Sequence, residues 1–500
     1  MLAVLLSSLA RGASLDLLEV GGAYGTPGAT NPTAVWWNPA GLTLGRAKYD
    51  LFVEAAPTFG GITVTRDNPD YGQLNPDFAA QGFPTEYDYS GTERLSFTGV
   101  VPFVGFAARP VRNVGLGLAL VVPSGRGGAS DQEWGASRYA IRDGSIQHIE
   151  LVAGGAYRLK DLVSFGASAR VVNSRWYADS DYSTYVDLLH GVEDASGQRP
   201  ETFQDGLIED RAYSSTLILG GVDEDGRTGR LTDTGLTFGA GVYLTPVKQL
   251  GVSVAWDHGV RLNNTGDLTM RFECPPEYDE PAYAASVDQD LCDRTVQGEA
   301  SIGYRLPNRL HTGVVWMPVE RVRVEAMGGV VFWSAFDDYE ITTTVLPDQF
   351  PNVPSPFALK SSQLLTQDRL WARDGQDSFW LGLDAKAQVH ERLLIGARLT
   401  FDRHAIPDAS VSANNIDNDD VTTGLLAAFD VSDAVGIGLS YSHHFLATRT
   451  VTDSAFGLTI EDAAANEDRY FYPSANGTYA GSIDRLGLSL RFLFGGGSPE

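Results

Sequence analysis

The sequence predicts an all-β protein: a transmembrane antiparallel β-barrel of about fourteen strands with an N-terminal hatch, or plug, in its lumen. Three observations lead there. Apolar residues alternate with period two along most of the chain, the connections switch between tight and long, and a compact aromatic segment precedes the first strand.

The plug comes first along the chain. Residues 14–45 are small, turn-rich and aromatic, and "VWWNPAGL" at 35–42 sets Trp36 and Trp37 directly before Asn38-Pro39-Ala40-Gly41. Pro39 biases Asn38 away from helical geometry and removes a backbone donor, so these residues suit a compact stopper better than a ladder strand. A barrel of about fourteen strands has a lumen wider than its own side chains fill. Ahead of the plug, 1–13 includes "MLAVLLSSLA", which reads as the apolar part of an export signal with Ala10-Arg11-Gly12 as a cleavage site.

The barrel is expected over 46–494, with a short tail at 495–500. In "VGLGLALVV" (114–122) Leu116, Leu118, Leu120 and Val122 share one face, and Gly115, Gly117 and Ala119 the other. In "SFWLGLDAKAQV" (378–389) Phe379, Leu381 and Leu383 oppose Trp380, Asp384 and Lys386, and in "RLLIGARLTFD" (392–402) Ile395 and Leu399 oppose Arg398 and Asp402. Such strands face two different solvents. Assigning the Leu/Val/Phe face to lipid keeps Arg398, Lys386 and Asp384 out of hydrocarbon, where a basic residue costs about 2–4 kcal/mol near the midplane.

Tight joints are expected near Arg112-Asn113, Lys160-Asp161, Pro246-Val247, Pro318-Val319, His390-Glu391 and Ser432-Asp433. Long polar stretches lie between them at 67–93, 125–145, 179–233, 272–295, 346–376, 404–419 and 451–477. Short turns at one end and long loops at the other mark an outer-membrane barrel. No apolar run reaches the roughly 18 residues that a membrane-spanning helix needs.

Charge narrows the partners. With 63 acidic and 37 basic residues the net charge is −26, which disfavours nucleic acid and a bare anionic membrane surface. Residues 179–233 alone hold thirteen Asp/Glu against four Arg. Acidic loops beside a lipopolysaccharide leaflet suit divalent cations, although a solvated face explains any single Asp equally well. The two cysteines, Cys274 and Cys292, share one acidic loop and are expected to form a disulfide in an exported chain. No metal-ligand spacing, catalytic motif or cofactor-binding motif stands out.

"GGAYGTPGATNPTAVWWNPAGL" resembles the N-terminal hatch of the FadL-type long-chain fatty-acid transporters, a family that includes the TodX-like channels for aromatic hydrocarbons. The match to the family's Asn-Pro-Ala motif falls on Asn38, Pro39 and Ala40. "FWSAFDDYEI" (332–341) is similar to a strand motif of the family through Trp333-Ser334 and Phe336. "GASRYAIRDGSIQHIELVAGGAYRL" (135–159) and "DRHAIPDASV" (402–411) look like two further passages. One departure is the tail: GGGSPE follows Phe494, where such barrels usually stop on the aromatic that the assembly machinery reads.

The resemblance implies passive uptake of a hydrophobic molecule across a Gram-negative outer membrane by a monomer. Outer loops capture the cargo, the hatch moves, and the cargo leaves sideways through a gap made by a kinked third strand. "VVPSGRGG" supplies a physical basis for such a kink, since Pro123 cannot donate to a ladder and Gly125 and Gly127 permit a bulge; an ordinary strand-to-loop exit is the alternative. Long-chain fatty acids are the expected cargo, with aromatic hydrocarbons or alkanes as the alternative within the family. A carboxylate head needs a cation, and parity places Arg170, Arg398 and Lys386 in the lumen. An ion-pair ladder with Asp384, Asp402 and Glu150 competes with that role. Trp333 and Phe336 complete the candidate cargo contacts. A lipid enzyme is the alternative from another class, and the chain offers it little: the adjacent His443 and His444 face opposite ways, so at most one meets a lumen group such as Ser442.

Overall fold

The computed structural model describes residues 20–66, 91–131, 136–183, 214–223, 226–272, 294–336, 338–349, 366–454, 460–462, 467–469 and 475–497. The expected signal segment and both cysteines lie outside them. Among the described residues no helix is long and apolar enough to cross a membrane.

Strands dominate. The first seven are β1 (Ala47–Arg66), β2 (Gly91–Val111), β3 (Val114–Ser130), β4 (Asp143–Leu159), β5 (Val163–Ser183), β6 (Ser214–Leu219) and β7 (Leu231–Val247). β8 (Leu250–Asp257), β9 (Val260–Phe272), β10 (Thr295–Leu306), β11 (Arg309–Val319), β12 (Val322–Val331), β13 (Asp338–Thr344) and β14 (Gln367–Ala372) follow. β15 (Ser378–His390), β16 (Leu393–Asp402), β17 (Asp420–Ser432) and β18 (Val435–Val451) lead to the final strand. A separate small hairpin, β19 (Ile460–Asp462) with β20 (Glu467–Arg469), precedes β21 (Gly477–Gly497).

All the pairings are antiparallel, and β21 returns to β1 from Ala47↔Gly497 to Thr65↔Thr478, so the wall closes on itself. Among the described residues the closed sheet contains sixteen strands of eight residues or more, which corrects the expected count of about fourteen. Interruptions account for the excess. The stretch 250–272 breaks at His258-Gly259 into β8 and β9, and 295–319 breaks at Pro307-Asn308 into β10 and β11. Asp257↔Arg309 in one ladder is followed by Val260↔Leu306 in the other, so the register carries across both breaks. Pro307 has no N–H to give to a ladder.

The alternation sorts as expected. Leu116, Leu118 and Leu120, Phe379, Leu381 and Leu383, and Ile395 and Leu399 are exposed on the outside, whereas Trp380, Asp384 and Asp402 are buried within. The turns fall within two residues of their expected places, and in the three-residue turn between β4 and β5 both Lys160 and Asp161 take positive φ, 52° and 53°. Strands run longer than the loop boundaries suggested. β3 continues to Ser130 and β4 begins at Asp143, so nine of the 21 residues 125–145 are strand, and β21 passes Phe494 to Gly497. These strands exceed the roughly 9–11 residues that cross hydrocarbon, and their ends project beyond it.

β3 departs from regularity. Its ladder with β2 is interrupted between Ser96↔Ala129 and Phe103↔Val121, and β3 carries one more residue than β2 across that interval. The same extra residue appears against β4, where Val121↔Glu150 is followed by Ser124↔His148. Val121 and Val122 are both buried, which corrects the outward placement of Val122: the bulge breaks the parity that the glycine-leucine repeat had set.

Candidate functional site

Residues 20–45 lie inside the barrel. Ala34–Trp37 forms one helical turn and Pro39–Leu44 a 3₁₀ turn, and Trp36, Trp37, Asn38 and Ala40 are fully or almost fully buried. Asn38 sits in extended backbone, as a residue before proline should, and its Oδ1 accepts the Ala40 N–H at 3.1 Å to cap the turn. Its Nδ2 donates to the wall at Val242 O (3.1 Å) and Val254 O (3.4 Å). The close approach has a cause in the wall: a Cβ on Gly166 would lie 2.3 Å from Ala40 N, and one on Gly241 2.2 Å from Asn38 Oδ1. Glycine at these lumen positions gives Asn38-Pro39-Ala40 a flat seat.

A plug of irregular backbone has carbonyls that no ladder satisfies, and buried ones need donors. Arginines of the wall supply them from several directions. Arg109 on β2 donates Nε to Leu42 O at 2.9 Å and Nη2 to Thr30 O at 3.1 Å. Arg323 on β12 donates to Gly28 O at 2.9 Å, while Glu325 beside it accepts the Gly28 N–H at 2.7 Å. Arg398 on β16 reaches Gly22 O (3.1 Å), Ala23 O (3.2 Å) and Gly25 O (2.9 Å). Arg170 on β5 donates Nη2 to Trp36 O at 2.8 Å.

Each of the sequence-selected cations also has a carboxylate. Arg170 bonds Asp257 and lies 3.9 Å from Glu150; Arg398 and Lys386 both bond Asp384, at 3.0 and 2.7 Å. Arg170 and Arg398, expected to meet a cargo head group or to join an ion-pair ladder, thus both hold wall carboxylates. Arg398 donates to Asp384 and the plug, and Arg170 Nη2 to Asp257 and Trp36 O, while Arg170 Nε and Nη1 have no hydrogen-bond partner among the described residues. Parity gave the correct face but could not see what already occupied the lumen.

The deepest layer centres on Trp36. Its indole N–H donates to Glu150 Oε2 at 2.9 Å, and the guanidinium carbons of Arg309 and Arg170 sit 5.0 and 5.4 Å from its ring centroid, within cation–π range. Trp37 packs edge-on to His311 at 5.3 Å and approaches Trp380 at 6.0 Å. Asp257 also faces His311 Nε2 at 3.2 Å and Arg309 Nη2 at 3.4 Å.

Above this layer an apolar pocket opens where the two staves are interrupted. Val172, Val260, Leu306, Pro307, Trp333, Phe336 and Tyr339 form its walls, with Glu150 and Arg309 at the plug side. Pro123, at the bulge of β3, lines it as well, so the pocket adjoins the interrupted β2–β3 ladder. Trp333 and Phe336 are not on a strand, contrary to the expected strand motif. Trp333–Ala335 is a 3₁₀ turn between β12 and β13. Leaving the ladder brings Phe336 into stacking with Tyr304 (5.5 Å, 16°) and edge contact with Tyr339 (4.9 Å), and Arg373 lies over Trp333 and Phe336 at 4.8 and 4.6 Å. Tyr304 shares hydrogen bonds of 2.7 Å with His148 and Ser174.

Sequence reading missed Arg309, Asp257, His311 and Tyr304. Arg309 follows the Pro307-Asn308 break, and alternation through that break does not predict its face. Among the described residues no group of His, Cys, Asp and Glu has metal-binding geometry.

A closed wall with an apolar outer belt, a lumen filled from the N-terminus and an apolar pocket above the filling defines a plugged outer-membrane channel. The chain belongs to the outer membrane protein transport protein family (OMPP1/FadL/TodX), whose model matches residues 13–494. It is located in the outer membrane, and its family is one of transporters rather than enzymes. No curated protein matches the sequence. Among solved structures it is similar to a Pseudomonas aeruginosa FadL homologue, with 16% identity, a TM-score of 0.70, and 99% of this chain and 100% of that one covered. The Pseudomonas putida toluene transporter TodX is similar at 15% identity and TM-score 0.61, covering 93% and 95% of the two chains. The Ralstonia pickettii toluene transporter TbuX follows at 13% identity and TM-score 0.58, covering 97% and 99%. Identities this low establish a shared fold.

Proposed function

We propose that the protein admits long amphiphilic molecules with one anionic head, long-chain fatty acids being the class, by passive diffusion. The carrying observation is the pocket: apolar and aromatic walls, with Arg309 at its inner end. That guanidinium is loosely held, its nearest carboxylate contact being 3.4 Å from Asp257, and its Nε has no hydrogen-bond partner among the described residues. A cargo carboxylate meeting Arg309 forms charge-assisted bonds in a site with little competing water. Arg309 and Glu150 line the pocket and also touch Trp36, so cargo entry bears directly on the plug. On this reading residues 14–45 act as a hatch, and the cargo leaves through the β2–β3 gap beside Pro123, Gly125 and Gly127.

The aromatic cluster of Tyr304, Trp333, Phe336 and Tyr339 favours a second reading, in which a neutral aromatic hydrocarbon fills the same pocket. The two readings separate on one variant. Arg309→Met should weaken binding of a labelled C16 fatty acid by roughly 1.5–3 kcal/mol, the range for charge-assisted bonds, and leave toluene binding unchanged. Equal affinity of parent and variant for the fatty acid would reject the carboxylate reading.

A further inference from the structure

Asp402 and Asp420 pair directly at the outer ends of β16 and β17, so a two-residue turn would close this hairpin. Residues 403–419 stand there instead, and they fold inward, which the expectation of a long outer loop did not anticipate. Ile406, Val411 and Ile416 are buried in one cluster with Ile62 of β1, Phe97 of β2 and Ile483 of β21. A buried loop must satisfy its own backbone. Arg449 of β18, just past a register shift in its ladder, does much of this: it donates Nη1 to Asp417 O at 2.5 Å, Nη2 to Ile406 O at 2.8 Å and Nε to Asp408 Oδ1 at 2.7 Å. Asp417 Oδ2 accepts the Ala405 and Ile406 N–H groups at 2.6 and 3.2 Å, and Asn418 Nδ2 donates to Ala447 O and Tyr479 O.

We infer that Arg449 is a positioning residue: it holds 403–419 in the outer lumen as an inner wall that confines cargo to the pocket side and caps the β2–β3 gap. The lining of the pocket comes from β3–β5, β7 and the stretch β9–β13, across the lumen from this cluster. Phe97 begins the part of β2 that has no β3 partner, and Ile141, from the connection between β3 and β4, joins the same cluster. The two edges of the gap are thus tied together at its outer end. A second, polar tie reinforces them: Arg66 bonds Glu93 at 3.0 Å and Ser137 at 3.1 Å, and Ser137 N–H donates to Glu93 at 3.2 Å, all three residues buried. The gap is therefore a window with a closed outer end rather than an open slit.

This inference rests on the channel reading, and its test separates the two. In a Cys274→Ser/Cys292→Ser background, Val411→Cys is treated on whole cells with a membrane-impermeant maleimide, while uptake of a labelled fatty acid is followed in parallel. Labelling should be slow with Arg449 present and faster by at least about tenfold in Arg449→Gln, the change expected from losing even one of its charge-assisted bonds. Arg449→Lys should fall between them. Fatty-acid uptake should drop several-fold in Arg449→Gln while the amount of folded, heat-modifiable barrel stays the same. A second variant, 403–419 replaced by Asn-Gly, keeps the β16–β17 ladder and should lower uptake likewise. Fast labelling with Arg449 present, or unchanged uptake in the Asn-Gly variant, overturns the inference. No uptake by the parent sinks the cargo reading instead, and the labelling arm still reports on the inner wall.

Discussion

Arg398→Gln should loosen the plug without unfolding the barrel. The side chain makes three bonds to plug carbonyls, at Gly22, Ala23 and Gly25. A charge-assisted bond is worth about 1.5–3 kcal/mol, but Nη2 divides between two carbonyls, so a total of about 3 kcal/mol is the better figure. At 1.4 kcal/mol per factor of ten, that raises the fraction of time the segment stands away from its seat by about a hundredfold. The substitution strands no charge, because Asp384 keeps Lys386 at 2.7 Å and Arg323 at 3.7 Å. The assay is single-channel recording in planar bilayers, read as the fraction of time in a conducting state. Lys386→Met is the matched control, since the hydrogen bond of Lys386 goes to Asp384 and not to the plug. An Arg398→Gln channel with the parent's open fraction would refute the clamp, and equal increases in both variants would assign the effect to lost lumen charge.

Two further outcomes are expected. Gly166→Val should displace the plug outright, because its Cβ would fall 2.3 Å from Ala40 N and 2.4 Å from Pro39 C, both backbone atoms; conductance should rise while heat-modifiable mobility on gels is retained. Cys274 and Cys292 should be disulfide-bonded, so alkylation of the unreduced protein followed by intact mass measurement should find no added label, and two labels would refute the pairing.

The wall was legible because lipid imposes a rule on every second residue. Leu381, Leu383 and Leu399 had to face outward, and each does. The rule fails where the ladder fails. Val122 turned inward at the bulge, Trp333 and Phe336 left the ladder for a 3₁₀ turn, and Arg309 followed a proline break. Those three departures supply much of the pocket, so the alternation was least informative where the cargo is proposed to sit. Segment 403–419 was opaque for a different reason. Its Asp, Asn and Ser content reads as a solvated loop, but Asp417 Oδ2 and Asn418 Nδ2 bond backbone groups of the buried chain.

Arg170 and Arg398 illustrate what parity can and cannot assign. It placed both in the lumen, and a lumen arginine could serve cargo, wall or plug. The structure has each holding a wall carboxylate and a plug carbonyl together: Asp257 and Trp36 O for Arg170, Asp384 and the Gly22–Gly25 carbonyls for Arg398. Arg323 repeats the pattern with Glu325 and Gly28 O. This division bears on whether the plug can move at all. A plug tied by ion pairs of its own would leave uncompensated buried charges behind, at about 3–5 kcal/mol for each broken pair. Here the plug bonds of Arg170, Arg323 and Arg398 are to neutral carbonyls that water can take over, while each of these three arginines keeps its carboxylate. On the proposed route these three arginines hold the hatch firmly, yet its departure leaves none of them without a carboxylate.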